Sequence, residues 1–402
     1  MMILRMGATI HWLVALSLAL ANATAWAATE LVPRADDEVL ETLAAPTVRR
    51  QPPSAKPTAA VDLALVMRQV HGEITLARQT GDTRYWGRAQ ALLLPWWDRA
   101  DAAPDLAVMQ ATVQQGRHEF DAARRLLAAV VSRASGHAQA WLELAALSRL
   151  QADYPAALRA CDAVQRAGVT SYAQACRLET LSLQGQHADA MKGLQALLDT
   201  SVDAAQRSWL LSLLAESQER AGRDAQALGT YRLSLAAQHD LYTAVAFSDL
   251  LLRTGKPESA LRVLESLPLT DAVLLRQASA WRKLGDPRWS AIRDELRTRT
   301  AELRRRGDNI DLHGREAGLI ALWLDDDPRQ ALRLAERNLQ LQREPVDWWL
   351  ALSSAQQSGD LTAWKRLQDQ RQTTGLRDRR LDEMRAPSGM ADPKLSSSKG
   401  SS

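Results

Sequence analysis

The sequence predicts an all-α chain built as a stack of about nine helical hairpins. A short polar turn carrying Gly or Asp, followed by an Ala that opens an apolar stripe, recurs with a period near 34 residues. The stripes run at three- and four-residue spacing, the period of one helix face. Of the 402 residues 46% are hydrophobic, chiefly Ala and Leu, and aromatics other than Trp are scarce. That mixture favours close-packed helices over sheets.

Taken in order, the chain begins with Arg5, a short apolar run in His11–Leu20, and Ala25-Trp26-Ala27 as a small-x-small cleavage site before Ala28. The run falls short of the roughly 20 residues that span a bilayer, and no Cys stands at the cleavage point. Residues 1–27 are therefore expected as a cleaved signal peptide, leaving a periplasmic or secreted protein with no stable membrane insertion. Residues 28–60, with Pro33, Pro46, Pro52, Pro53 and Pro57, are expected as a disordered linker. The repeat array is expected over 61–375, and 376–402 as a disordered polar tail ending in a Ser-rich run.

Within the array the turn-and-alanine signal appears as Gly116-Arg-His-Glu-Phe-Asp-Ala-Ala123, Ala152-Asp-Tyr-Pro-Ala-Ala157, Gly185-Gln-His-Ala-Asp-Ala190 and Gly222-Arg-Asp-Ala-Gln-Ala227. It continues as Gly255-Lys-Pro-Glu-Ser-Ala260, Gly285-Asp-Pro-Arg-Trp-Ser-Ala291, Asp326-Asp-Pro-Arg-Gln-Ala331 and Gly359-Asp-Leu-Thr-Ala363. Successive alanines are separated by 34, 33, 37, 33, 31, 40 and 32 residues. Gly ends the first helix in a left-handed cap. Asp153, Asp286 and Asp327 cap the second, and Pro155, Pro257, Pro287 and Pro328 suit its first turn, where no amide donor is needed. The small Ala lets the two helices approach closely. Each hairpin then leaves an apolar face that only another hairpin can cover.

This pattern resembles the tetratricopeptide repeat (TPR) family over about three quarters of the chain. Trp141-x-x-Leu144-Ala145 with Tyr154, Ala157, Cys161 and Val164 stand where that family places its packing residues. Leu211-x-x-Leu214-Ala215 with Gly222, Ala227 and Tyr231, and Phe247-Ser248 with Leu251, Gly255, Ala260 and Leu264, are further copies. The unit around Gly81 is degenerate, and the unit beginning at Gly285 is expected to have a longer second helix. The resemblance implies a right-handed superhelical solenoid whose first helices line a concave groove, and a protein or peptide partner.

Cys161 lies on the second helix of one hairpin and Cys176 on the first helix of the next, each 7.5 residues from the centre of the intervening turn. Antiparallel helices place them level. In an oxidising compartment they can bridge, and the short loop would contribute about 3 kcal/mol. Two small buried thiols filling the helix–helix contact fit the same spacing.

No chemistry-bearing motif accompanies the repeats. His71, His118, His137, His187, His239 and His313 have no partners at metal-ligand spacing. Asp325-Asp326-Asp327 reads as a helix cap before Pro328. There is no G-x-S-x-G and no phosphate-cradling loop, so neither an enzyme nor a catalytic, cofactor or metal site is expected. The net charge of +3 is small. The basic runs Arg304-Arg305-Arg306 and Arg377-Asp378-Arg379-Arg380 read as solvated helix faces, so nucleic acid is not expected as a partner.

The groove is where function is expected. Arg78, Arg149, Arg220, Arg253, Arg282 and Lys283 stand near the ends of first helices at corresponding phases. Such a column could clamp carboxylates, with Tyr242, Leu142, Val245 and Leu275 beside it. Cations at helix C-termini also satisfy the macrodipole without any ligand. The Lys and Asn pattern of the family's carboxylate clamp is absent. Trp96-Trp97 and Trp348-Trp349 read as core of the terminal repeats. The function expected is a non-catalytic interaction scaffold of the cell envelope, gripping a partner segment with Arg149, Arg220, Tyr242, Arg253, Arg282 and Lys283 as accessory to a transport or assembly machine. The rival, an envelope glycan-binding protein or enzyme, would place carboxylate pairs and exposed aromatics together in the groove.

Overall fold

The computed structural model describes residues 63–305 and 314–387. The segments expected as signal peptide and linker lie outside them. The described residues form nine helical hairpins. The first pairs α1 (Leu63–Thr80) with α2 (Arg84–Leu93), followed by a 3-10 turn at Leu94–Trp96. The second and third are α3 (Pro104–Gly116) with α4 (Phe120–Arg133) and α5 (Ala138–Leu150) with α6 (Tyr154–Arg166). The fourth and fifth are α7 (Thr170–Leu183) with α8 (His187–Thr200) and α9 (Ala204–Arg220) with α10 (Asp224–Ala237). The sixth and seventh are α11 (Leu241–Arg253) with α12 (Pro257–Leu264) and α13 (Asp271–Lys283) with α14 (Arg288–Arg305). The last two are α15 (Gly314–Trp323) with α16 (Pro328–Asn338) and α17 (Pro345–Ser358) with α18 (Leu361–Thr374), before a short α19 (Arg379–Asp382). No described helix is long and apolar enough to cross a membrane.

The turn inside each hairpin depends on one left-handed residue. Gly222 adopts φ of 72°, and His118, Ala152 and Asp326 take the same conformation at φ of 60°, 60° and 53°, where a side chain costs roughly 1–2 kcal/mol. Gly116 does not have the expected role: it lies inside α3, and the turn falls at His118. Gly116 instead makes room for the Trp86 indole, which a Cβ at this position would overlap. Asp153 and Asp327 accept the amides of Ala156 at 3.0 Å and Gln330 at 2.9 Å, the capping read from the sequence. Asp203, Asp240 and Thr270 do the same for the first helices α9, α11 and α13, accepting from Gln206, Thr243 and Val273.

Ala123, Ala157, Ala190, Ala227, Ala260, Ala331 and Ala363 are all buried at the crossing of paired helices. Ala291 is exposed. In the seventh hairpin the inward face of α14 is carried by Trp289, Ile292 and Leu296 instead, so the alanine steps of 31 and 40 around it mark a shifted register. That hairpin has the 18-residue second helix its irregular sequence suggested. Burying each large apolar side chain, such as Leu127 or Leu194, contributes about 1.5–3 kcal/mol. Trp96, Trp97, Trp348 and Trp349 all pack into the cores at the two ends of the array.

The hairpins stack as a right-handed superhelix. Contacts between helices two apart in the chain join first helices to first helices: α3 to α5, α5 to α7, α7 to α9, α11 to α13, α13 to α15 and α15 to α17. First helices therefore occupy the shorter, inner side of the curve. The winding also brings distant units edge to edge. The turn at His118 meets Gln342 at 3.2 Å, and the Arg343 amide donates to Leu150 O at 2.7 Å. The Arg377 amide donates to Leu183 O at 2.9 Å, and Arg380 reaches Glu219 at 2.9 Å.

Residues 376–387, expected in the disordered tail, are folded against this seam. Leu376 and Leu381 are buried in one core with Tyr154, Leu183 and Trp364. The supposedly solvated run at 377–380 is part of it: Asp378 is fully buried and caps α19, accepting the Arg380 amide at 3.0 Å. Two buried leucines outweigh the polar composition that suggested a tail.

Candidate functional site

Cys161 on α6 and Cys176 on α7 are joined by a disulfide with Cα atoms 5.7 Å apart, between buried helix faces. The bridge fixes the third hairpin to the fourth beneath the inner face, and an Arg149 guanidinium nitrogen lies 3.5 Å from the Cys176 sulfur.

The arginine column is present, but as internal pairs rather than free cations. Arg149 pairs with Glu179 at 2.9 Å. Arg220 is only 4% exposed, donates to Ser182 Oγ at 3.1 Å and lies 3.5 Å from the Glu216 carboxylate. Arg253 binds Glu219 at 2.9 Å and also Asp224. Arg282 donates to Trp323 O and pairs with Asp326, with its guanidinium over the Trp289 ring. Lys283 is exposed, whereas Leu275 is buried and offers no pocket wall. Arg149, Arg220, Arg253 and Arg282 each meet an acid, hydroxyl or carbonyl on their own or another hairpin, contacts that the spacing within one helix does not reveal.

What the inner face exposes is aromatic and acidic. Tyr172 on α7, Trp209 on α9 and Tyr242 on α11 occupy one register in consecutive hairpins. Seven residues further along each helix, two turns on and on the same face, stand Glu179, Glu216 and Asp249. Tyr172 and Trp209 stack at 5.3 Å between centroids with planes 24° apart. Tyr242 is 65% exposed, and its hydroxyl donates to Glu216 Oε1 at 2.7 Å. Asp249 accepts both Arg276 donors at 2.9 Å, and Arg276 itself is 5% exposed. Of these residues the sequence reading named only Tyr242. A signal for the rest was available: both columns step by 37 and then 33 residues, the steps of the alanines from 190 to 227 to 260.

The electrostatics follow from this layout. The Glu216, Glu344 and Glu179 carboxylates and partial burial push the Tyr242 phenol well above its ordinary range, with Glu216 contributing most. Burial raises the Glu216 carboxyl. Further along the inner layer, burial raises Glu143 despite bonds from Thr112 and Gln115, both at 2.7 Å. In the eighth and ninth hairpins Arg315 gathers Asp347, Glu344 and Gln342 at 2.6–2.8 Å. Among the described residues no group of three or more His, Cys, Asp or Glu side chains is placed to hold a metal ion.

Residues 232–380 match the family model for the tetratricopeptide repeat. The hairpins within this segment are tetratricopeptide repeats. A solved structure of a Rap protein complexed with competence and sporulation factor has a similar fold, with a TM-score of 0.52 at 10% identity over 81% of this chain and 89% of that one. A tetratricopeptide repeat protein from Parabacteroides merdae gives 0.37 at 11% identity, over 62% of this chain and 98% of its own. The Cut9–Hcn1 hetero-tetramer of the APC/C gives 0.37 at 12% identity, over 78% and 76%. No curated protein matches the sequence. The tetratricopeptide fold supports a protein-interaction scaffold in general terms, and the sixth to ninth hairpins lie within the matched segment.

Proposed function

We propose that this chain is an exported, non-catalytic scaffold that holds a segment of another protein along the inner face of its superhelix, as accessory to a transport or assembly machine of the cell envelope. The observation that carries the reading is the uninterrupted register of Tyr172, Trp209 and Tyr242 on three adjacent first helices, with the inner side chains of Tyr172 and Tyr242 left exposed. Open aromatic surface of this kind is typical of interaction hot spots, and a solenoid presents it over a length that suits an extended segment. Export is supported by the leader-like pattern of residues 1–27 and by the Cys161–Cys176 bridge, a bond favoured in oxidising compartments.

A photo-crosslinking residue at Tyr242 should capture a protein partner in cells, whereas the same residue at Leu233, exposed on the second helix α10, should not. Equal capture from both positions would remove the inner face from the function. The mature chain should begin at Ala28 and fractionate with the periplasm or medium.

The rival glycan reading gains from carboxylates and aromatics sharing the face. Two features favour a protein segment. The carboxylates stand one repeat apart rather than as a catalytic pair, and Tyr172 and Trp209 turn ring faces toward each other instead of forming an open coplanar floor for sugars.

A further inference from the structure

We propose that the fourth to sixth repeats take a lysine- or arginine-bearing stretch of the partner, its cations lying over the rings of Tyr172, Trp209 and Tyr242 and against the carboxylates of Glu179, Glu216 and Asp249. This rests on the inner face being the binding surface, and reverses the sign of ligand that the arginine column suggested. The arginines named on these first helices are engaged within the fold: Arg220 and Arg276 are buried, Arg149 is paired with Glu179, and Arg253, 31% exposed, is held by both Glu219 and Asp224. The acids remain partly open, with Asp249 31%, Glu179 19% and Glu216 18% exposed in their side chains. A carboxylate offers about four acceptor sites, so even the bidentate Arg276–Asp249 pair leaves Asp249 able to accept from a ligand ammonium or guanidinium.

The aromatic column adds attraction of the same sign, because the face of a ring draws a cation placed within about 6 Å. Tyr242 is the focus. Its hydroxyl is tied to Glu216, which fixes the ring, and Glu344 from the ninth repeat and Glu179 from the fourth add their fields to that of Glu216 at this side chain. An extended segment alternates its side chains, so lysines or arginines at intervals could meet successive repeats while intervening side chains face solvent. The chain as a whole carries a net charge of +3, so a cationic segment would be drawn to this face and not to the protein at large.

The test is fluorescence anisotropy of the full exported chain with three labelled probes: an alternating lysine–alanine decapeptide, an alternating glutamate–alanine decapeptide, and maltohexaose. The lysine peptide should bind, weaken as salt rises, and lose about tenfold in affinity with Tyr242→Ala, the order expected for one desolvated cation–ring contact. Glu216→Gln, which keeps the side-chain shape, should weaken it as well, and Leu233→Ala should not. Thermal melts of each variant separate lost binding from lost fold. If the glutamate peptide binds instead and depends on Tyr242, the inner-face reading stands and the cationic assignment is wrong. If maltohexaose binds in a Tyr242-dependent way, the partner is glycan and the assignment is likewise overturned. If no probe responds to Tyr242→Ala or Glu216→Gln, both the assignment and the inner-face reading fail.

Discussion

Arg380, on the last short helix, donates to the Glu219 carboxylate at 2.9 Å across 161 residues of sequence. Glu219 is 8% exposed in its side chain and also accepts from Tyr231 at 2.7 Å and Arg253 at 2.9 Å. Glu219→Ala would strip three donors of their acceptor and leave two guanidinium groups short of a counter-charge. Breaking a buried pair in this way costs about 3 kcal/mol, and Arg380→Ala should cost less because Tyr231 and Arg253 keep their partner. Urea unfolding of both single variants and the double variant should show coupling between the sites. Additive losses would mean the contact contributes nothing to holding α19 in place.

The Cys161–Cys176 bridge closes a loop of 15 residues, for which chain entropy predicts about 3 kcal/mol of stabilisation. Cys161→Ser/Cys176→Ser should lower stability by roughly that amount while leaving helix content unchanged. Non-reducing peptide mapping of the purified protein should recover the two cysteines as one linked fragment. Free thiols in that preparation would contradict the bridge.

Gly116 sits against the Trp86 indole with no space for a methyl group. Gly116→Ala should therefore destabilise the first two hairpins by about 1–3 kcal/mol through overpacking, although alanine is the better helix former. Trp86→Leu in the same chain should recover part of the loss. A Gly116→Ala variant at least as stable as the parent would show that the indole moves freely.

His187, at the turn of the fourth hairpin, is half-buried beside Ser182, and burial followed by the fields of Arg220 and Arg223 lowers its pKa, with Asp378 and Asp382 of the C-terminal segment opposing. The unfolded state therefore takes up the proton first. The contribution of His187 is fully present above about pH 6.5 and is lost as pH falls from there toward the folded value. Melting temperature should fall between pH 7.5 and 5, and His187→Gln should flatten that fall. An unchanged slope would assign the acid sensitivity to other groups.

Local features were legible in the sequence, and long-range ones were not. The buried alanines, the capping aspartates and the level cysteines follow from helix geometry within some 40 residues, which a period can report. Ala291 is exposed because Trp289, Ile292 and Leu296 carry the inward face of α14, a shift of register that the uneven steps of 31 and 40 already marked. The tail from 376 escaped because Leu376 and Leu381 bury against Tyr154 and Leu183, partners fixed by the pitch of the superhelix and not by any local pattern. The arginine column was visible, but its acids sit on other helices. Reading all charged and aromatic positions against the alanine steps would have exposed Glu179, Glu216 and Asp249 together.

The edge-to-edge seam changes how the molecule should come apart. In a linear stack each unit leans only on its immediate neighbours, so the tips fray first and melting spreads inward. Here the closing hairpin and α19 brace units near the beginning, and the His118, Leu150, Leu183 and Glu219 contacts all cross the same boundary. The C-terminal end cannot let go without exposing the flanks of distant units, which ties its unfolding to that of the second to fifth hairpins.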